Sequence, residues 1–151
     1  MFRFCVSLGV LALAAGCGGS AAPEKALPTT VPVSGVVTLD GKPLQKAAIR
    51  FVPRGETKGV DCYGFTDDTG RYELTQLRGG AGAPPGEYTV AFSQFAKPDG
   101  TPVGIGPNDP PPADQGAFES LPTRLSNPTE SKIVAQVPQG GGELKFDLKS
   151  R

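Results

Sequence analysis

The sequence predicts an all-β protein in which one domain forms a sandwich or a barrel, and three observations support this fold class. The 21 glycines and 16 prolines divide the chain into short runs of residues. Several of these runs alternate apolar and polar residues, and a period of two places every second side chain on the same face of a strand. No window of helical length repeats apolar residues three and four positions apart, so a helical fold is not expected.

Six runs carry this alternation, and each predicts a strand with one apolar face. The first run is closed by Asp40-Gly41, a pair that favours a two-residue hairpin turn. The last run is the most regular, because its apolar residues alternate strictly with charged ones. In chain order, the predicted inward residues are Val33, Val37 and Leu39; Ile49 and Phe51; Tyr72 and Leu74; Tyr88, Val90 and Phe92; Ile133, Ala135 and Val137; and Leu144, Phe146 and Leu148.

The stretch TDDTG places two carboxylates, Asp67 and Asp68, just ahead of Gly70. Asp side chains stabilise turns by accepting hydrogen bonds from the backbone two residues on, and glycine supplies the positive φ that closes such a turn. A calcium loop would instead need acidic residues at alternate positions and a later bidentate Glu. We therefore predict that Asp67, Asp68 and Gly70 form a structural turn and not a metal or catalytic site.

The composition argues against enzymatic chemistry. The chain contains no histidine, which removes the usual zinc ligand sets, Ser-His-Asp and Cys-His catalysis, and the commonest general base at neutral pH. The glycine-rich stretch RGGAGAPPGEY lacks the Lys-Ser/Thr ending of a phosphate-binding loop and runs into a strand, so it is predicted to be a linker into Tyr88. We expect no catalytic residues, no metal and no cofactor.

The N-terminus predicts secretion and a lipid anchor. Arg3 is followed by an apolar run from Phe4 to Ala15, which is typical of a secretory signal peptide and too short to span a membrane. The sequence LAAGC that follows resembles the bacterial lipobox, in which cleavage leaves a diacylglyceryl cysteine that is then acylated on its amine. Residues 1–16 are therefore predicted to be a lipoprotein signal peptide, with Cys17 as the lipidated first residue of the mature protein. An ordinary signal cut nearby, giving a soluble secreted product, is the alternative.

The residues after Cys17 suggest a flexible tether and a location. Residues 17–30 are small, polar and Pro-containing, as expected of a link between a lipid and a folded body. Gly18, in place of Asp, resembles the lipoproteins that Gram-negative cells pass to the outer membrane. We expect the protein in the cell envelope, anchored to the outer membrane and facing either the periplasm or the surface.

Removal of residues 1–16 leaves 135 residues, enough for one domain with a substantial core. The mature chain keeps 14 of the 15 basic residues, having lost Arg3, and all 15 acidic ones, which gives a net charge of −1. Without a basic surplus, nucleic-acid binding is not expected. Cys62 has no partner in the mature chain other than the lipidated Cys17, so we expect either a buried thiol or an intermolecular disulfide.

The sequence pieces resemble a known family when they are taken in order. VSGVVTLDGKPLQKAAIRFVP, GFTDDTGRYEL, PPGEYTVAF, LPTRLSNPTES and GGGELKFDLK cover most of residues 31–149. Their order and spacing resemble bacterial lipoproteins with a carboxypeptidase-regulatory-like, transthyretin-like domain. The resemblance implies one prealbumin-type, immunoglobulin-like β-sandwich of about seven strands over residues 31–151, and it implies no catalytic residues.

Three classes of function follow as hypotheses. The first is a non-catalytic envelope lipoprotein that acts as a structural or protein-interaction module. The second is a carbohydrate- or peptide-binding module. Tyr63 is then the only candidate sugar platform, because the chain lacks Trp while Tyr72 and Tyr88 face the core. The third is a hydrolase like the transthyretin-related hydroxyisourate hydrolase, and it is disfavoured because that site resembles a histidine cluster whereas this chain has no histidine.

Residues 96–120 form a Pro- and Gly-rich insert without a strand pattern. A connection of this length far exceeds the usual 4 to 6 residues and indicates either a solvated loop or a functional one. Val103, Ile105 and Phe118 are apolar residues that a solvating loop would not need, and the run of three prolines at 110–112 favours an extended conformation suited to docking. We predict that Val103, Ile105 and Phe118 contribute to a recognition loop for an envelope protein or a glycan.

Overall fold

A computed structural model describes residues 28–78 and 80–151, and it confirms the predicted all-β sandwich. The predicted signal peptide, Cys17 and residues 18–27 of the predicted tether lie outside the described residues. In chain order the strands are β1 (Val33–Leu39), β2 (Lys42–Pro43), β3 (Ala48–Pro53), β4 (Cys62–Phe65), β5 (Arg71–Glu73), β6 (Thr75–Gln76), β7 (Gly86–Ser93), β8 (Phe95–Ala96), β9 (Phe118–Glu119), β10 (Val134–Val137), β11 (Gly142–Glu143) and β12 (Phe146–Leu148).

The first sheet is organised around β1. One edge of β1 pairs in parallel with the two last strands, β11 and then β12. Its other edge pairs antiparallel with β5 and, across the Asp40-Gly41 turn, with β2. The predicted hairpin turn is present, since Asp40 and Gly41 both have positive φ, at 51° and 82°.

The second sheet is antiparallel throughout and has the strand order β10-β7-β3-β4-β6. Strand β7 is its longest member, and it pairs with β3 from Ala48↔Ser93 at one end to Pro53↔Tyr88 at the other. The two ends of this ladder define two poles of the sandwich. The Ser93 pole is the one where β7 ends, and the Gly86 pole is the one where it begins.

The core lies between the sheets and contains most of the predicted inward residues, joined by buried residues that were not predicted: Leu44, Ala47, Cys62, Ala83, Leu121 and Leu125. Of the predicted residues, all but Leu39, Ile133 and Leu144 are buried, and these three pack against the core while remaining partly exposed. The Phe146 ring of the first sheet meets the Phe92 ring of the second at a centroid distance of 5.2 Å and the Phe51 ring at 6.1 Å, both edge to face. Such pairs join the two sheets across the apolar layer.

Two stretches of the chain differ from the prediction. β4 is a strand that the alternation did not resolve as one, because one of its two inward residues is Gly64. The stretch predicted to be a linker into Tyr88 is part of the packed body instead. Ala83 is fully buried and exchanges two backbone hydrogen bonds with Val31, at 2.9 and 3.0 Å. The small side chains of this stretch allow this close packing.

The insert at 96–120 contains secondary structure of its own, contrary to the prediction of a patternless loop. β8 and β9 pair antiparallel at its base, a 3-10 helix covers Pro112–Gln115, and a short helix α1 (Thr123–Ser126) follows with Leu125 buried. The extended proline run ends at Pro111, which has φ −52° and ψ 139°, and Pro112 begins the 3-10 helix. Within 28–78 and 80–151, no helix has the length and the apolarity needed to cross a membrane.

Candidate functional site

The acidic pair lies in the turn between β4 and β5. Asp67 Oδ1 accepts hydrogen bonds from the backbone N–H of Thr69 at 2.8 Å, the Thr69 hydroxyl at 2.7 Å and the backbone N–H of Arg71 at 3.0 Å. The Asp68 side chain is exposed, and its backbone carbonyl accepts a 2.7 Å hydrogen bond from Gln45 Nε2. Both residues therefore act through the turn, one by its carboxylate and the other by its backbone.

Gly70 completes the turn and fixes it to the first sheet. It has φ 76°, and its carbonyl accepts a 2.9 Å hydrogen bond from the Val37 N–H of β1. A β-carbon at this position would lie 2.5 Å from the Val37 carbonyl oxygen. The turn is thus the corner at which the chain passes from the second sheet to the first, and the corner has room for glycine alone.

The electrostatics of the turn follow from its hydrogen bonds. The Thr69 hydroxyl, followed by the Arg71 and Thr69 backbone N–H groups, lowers the pKa of Asp67 below its usual value, because these donors favour the charged form. Asp99 shows the same pattern in the insert, where the Thr101 backbone N–H lowers its pKa. Among the described residues, no group of three or more His, Cys, Asp or Glu side chains is placed to hold a metal ion.

A groove of about 410 Å³ opens beside this turn, between β4 and β5. Its charged lining residues are Asp67, Arg71 and Glu73. Asp67 already serves three donors of the turn through Oδ1, so its carboxylate is engaged in structure. Ser34 and Thr75 are further polar residues in the lining of the groove.

The three predicted recognition residues occupy different environments in the insert. Val103 is buried, Ile105 is half-buried and the Phe118 side chain is 58% exposed. Val103 donates a backbone hydrogen bond to the Phe95 carbonyl at 2.9 Å, while Phe118 stands opposite Ala96 in register. The structure therefore places Val103 in the support of the insert and Phe118 on its surface, and β8 lies between them.

The insert is held at its base by Glu119, which the sequence did not single out. One carboxylate oxygen, Oε1, accepts hydrogen bonds from the backbone N–H groups of Gln94 and Leu121, at 3.0 and 3.1 Å. The other, Oε2, accepts from the Ser93 hydroxyl. Because these partners flank both ends of the insert, Glu119 fixes its two ends together. The sequence gives no signal for such a role, because the partners of Glu119 at Ser93 and Gln94 are some 25 positions away.

The insert and the N-terminal end of the described chain lie at opposite poles of the sandwich. Pro28 lies against Gly59, where a β-carbon would come within 3.3 Å of the Pro28 ring and 3.1 Å of the Pro84 ring. Gly59 belongs to the β3–β4 connection and Pro84 directly precedes β7, so both mark the Gly86 pole. The insert begins after Ser93, at the other pole. The eight residues of β7 separate the two by about 24 Å.

Tyr63, the predicted sugar platform, lies on the outer face of the second sheet beside Arg50. The two residues are direct cross-strand partners, and the Arg50 guanidinium carbon lies 5.8 Å from the centroid of the Tyr63 ring. Asp61 Oδ2 accepts hydrogen bonds from Arg50 Nε at 2.7 Å and from the Tyr63 hydroxyl at 3.4 Å, and it lies 2.6 Å from Arg50 Nη2. The sequence does not predict this cluster, because it depends on the register between β3 and β4.

Cys62 and two tyrosines are buried and serve structure. Burial, with a contribution from the charge of Asp61, raises the pKa of the Cys62 thiol to about 11. Burial also raises the pKa of Tyr72 and of Tyr88, whose hydroxyls donate to the Leu144 and Pro84 carbonyls at 2.8 and 2.7 Å. These groups stay neutral at physiological pH and act as hydrogen-bonded or apolar parts of the core.

Comparison of the chain with known protein families, with curated proteins and with solved structures found no match in any of the three.

Proposed function

We propose that this chain is a lipid-anchored, non-catalytic protein of the cell envelope, of the carboxypeptidase-regulatory-like type, that binds a second envelope protein through its insert. The opposite placement of Pro28 and the insert carries the proposal. A tether that leaves the domain at the Gly86 pole holds the Ser93 pole, with the insert, away from the lipid surface. Cys17 carries the lipid, and the segment from Cys17 to Pro28 supplies the tether.

The insert has the properties of an ordered binding surface. Its base is fixed by Glu119, its centre is supported by buried Val103, and a tight turn is closed by the 2.9 Å hydrogen bond from Lys97 N to Thr101 O. A surface that is already ordered loses less conformational entropy on binding than a mobile loop does. Length without secondary structure would indicate a solvated connection, whereas this insert has structure of its own.

The chemistry of the surface indicates the kind of partner. Phe118 exposes an aromatic ring, and aromatic side chains are enriched among the residues that contribute most to binding at interfaces. Three exposed carboxylates accompany it, those of Asp99, Asp109 and Asp114, against the single exposed cation Lys97. The partner surface that fits is an apolar pocket with a basic rim on a protein. Electrostatic complementarity of this kind favours encounter and specificity.

Non-catalytic action is part of the proposal and follows from the groups available. The chain has no histidine, its single described cysteine is buried, and Asp67 is engaged in a turn. A catalytic constellation needs a nucleophile or base within hydrogen-bonding reach of a substrate in a cleft. The absence of histidine from the sequence and the engagement of Asp67 in the turn support the proposal of a non-catalytic role.

Photocrosslinking in intact cells tests the interaction. A photoreactive amino acid at position 118 should capture an envelope protein, whereas the same group at Lys58, which is exposed on the Gly86 pole, should not. A second chain in which a Gly-Ser-Gly linker replaces 97–117 should lose co-purification of the captured protein. The linker can close because Ala96 and Phe118 are direct cross-strand partners, and we expect the thermal midpoint to fall by less than about 10 °C.

Membrane fractionation tests the anchor separately. Cys17→Ser should move the protein from the membrane fraction to the soluble fraction, with its thermal unfolding unchanged. A wild-type protein that is already soluble would refute the lipid anchor, and a crosslink from Lys58 in place of position 118 would refute the role of the insert. Unfolding of the linker chain at room temperature would show that the insert belongs to the core.

A further inference from the structure

A small depression lies on the outer face of the second sheet, apart from the insert surface. It has a volume of about 190 Å³, and it is lined by Ala48, Arg50, Tyr63, Ala91, Phe92, Ser93, Ser126 and Pro128. Ala48 and Ala91 form a floor of small side chains. In the strand register, Ala48 pairs with Ser93, whereas Arg50 pairs with Ala91 on one side and with Tyr63 on the other. The last residue of α1, Ser126, and Pro128 beyond it form a wall. The depression therefore results from two alanines between taller neighbours.

The polar groups around this floor include both donors and acceptors. Arg50 is 46% exposed and uses Nε and Nη2 toward Asp61, which leaves Nη1 free to donate outward. The Ser93 and Ser126 hydroxyls donate to Glu119 and to the Pro122 carbonyl, so each keeps lone pairs that can accept. Asp61 lies outside the lining and holds the Arg50 guanidinium in place through Oδ2.

The charge of the cluster favours a neutral ligand. Arg50 and Asp61 are in contact at 2.6 Å, and their charges compensate each other. An anion would have to compete with the Asp61 carboxylate for the same guanidinium. A neutral group with several hydroxyls can instead accept from Arg50 and donate to the Ser93 and Ser126 hydroxyls, which line the same depression.

The volume of the depression and its apolar floor further restrict the kind of ligand that fits. The volume lies below the roughly 300–1,000 Å³ of pockets for drug-sized molecules, which suits one ring and not an extended molecule. Ala48, Ala91 and the edge of Pro128 can contact the C–H face of a ring while its hydroxyls reach the polar groups. Tyr63 borders the same space with an aromatic side chain.

We propose that this depression is a binding subsite for one pyranose ring of a neutral glycan. Arg50 donates to one hydroxyl of the ring, Ser93 and Ser126 accept from others, and Ala48 and Ala91 contact its C–H face. The site does not depend on the lipid anchor or on the insert. A methyl hexoside has about 13 non-hydrogen atoms, and at the ligand efficiency of drug-sized ligands this number corresponds to a Kd in the low millimolar range.

Saturation-transfer NMR on the full chain tests the proposal. The protein is held in a zwitterionic detergent without a sugar headgroup and is mixed with the methyl glycosides of glucose, mannose and galactose at 10 mM each, roughly ten times the expected Kd. At least one glycoside should receive saturation on its ring C–H protons. Ala48→Leu fills the floor and should reduce the signal at least tenfold. Thr75→Leu adds bulk on the same face, beyond Tyr63 and outside the depression, and should leave the signal unchanged.

Arg50→Lys tests the depression a second time without adding a larger side chain to it. It keeps the positive charge but removes the planar set of donors, so the signal should fall at least severalfold even if Ala48→Leu lowers the thermal midpoint. Absence of transfer to all three glycosides would overturn the proposal, as would a full signal in Ala48→Leu or in Arg50→Lys. Glucuronate that binds at least tenfold more tightly than the glycosides, and weakens with salt, would make the depression an anion site.

Discussion

Replacement of Gly70 by alanine should destabilise the domain by more than the backbone conformation alone requires. The position has φ 76°, which a non-glycine residue adopts at a cost of about 1–2 kcal/mol. In addition, the new β-carbon would lie 2.5 Å from the Val37 carbonyl oxygen and 3.3 Å from the Leu44 N–H nitrogen. The first distance is far below van der Waals contact, so the turn or β1 has to move.

The movement is opposed by hydrogen bonds on both sides of the contact. The Gly70 carbonyl accepts from Val37 N–H, and the Val37 carbonyl accepts from Leu44 N–H, both at 2.9 Å. Relief of the clash stretches at least one of them, at a net cost of about 0.5–1.5 kcal/mol for each bond lost. We therefore expect Gly70→Ala to lower the free energy of unfolding by about 2–4 kcal/mol.

Gly41→Ala is the matched control, because Gly41 has φ 82° and no atom within 4 Å of the position of a new β-carbon. It should cost about 1–2 kcal/mol, the backbone contribution alone. Urea denaturation of the two variants and the wild type, compared at unchanged m-value, gives the difference directly. If the two variants agree within about 0.5 kcal/mol, the contact with Val37 contributes nothing and the reasoning fails.

Two further predictions concern ionisable groups. The lowered pKa of Asp67 means that its stabilising contribution is complete above the unfolded value near 3.9 and is lost as the pH falls through the folded value. Asp67→Asn should therefore show a weaker dependence of its unfolding free energy on pH between 5 and 2 than the wild type does. The Cys62 thiol, buried and with its pKa raised to about 11, should resist alkylation at pH 8 until the domain unfolds, as checked by mass spectrometry of the Cys62 peptide across a urea series. Rapid alkylation in the native state would contradict its burial.

The strand faces could be predicted because alternation in the sequence maps directly onto the two sides of a strand. Tyr72 and Leu74 show the relation at its simplest, since each is flanked by outward residues and each is buried. The turn at Asp67 and Gly70 was equally accessible, because every atom that forms its hydrogen-bonded loop lies within four residues of Asp67. A turn of this kind can be predicted from the sequence because its hydrogen-bond donors and acceptors belong to neighbouring residues.

The features that could not be predicted from the sequence depend on pairings between distant residues. The sequence predicts a linker at Ala83 because the small residues around it show no alternation of apolar and polar side chains. Its burial accompanies the backbone hydrogen bonds with Val31, some fifty positions away. The cluster of Arg50, Asp61 and Tyr63 depends on the register between two strands, which is set when the hairpin packs. Glu119 acquires its role only when both ends of the insert meet. In each case the deciding interaction joins segments whose separation gives no periodic signal.

The parallel pairing of the first strand with the last has a consequence for the order of events during folding. β1 lies beside β12, with Val37 opposite Phe146. One edge of β1 therefore has no partner strand until almost the whole chain has been synthesised. Contacts of such long range slow folding, because the loop between them must be closed before they form. A chain that stops after Val137 would keep its second sheet yet leave that edge of β1 unpaired. Incomplete products should therefore be open to strand pairing with other chains, and to proteolysis, until the C-terminal strand arrives.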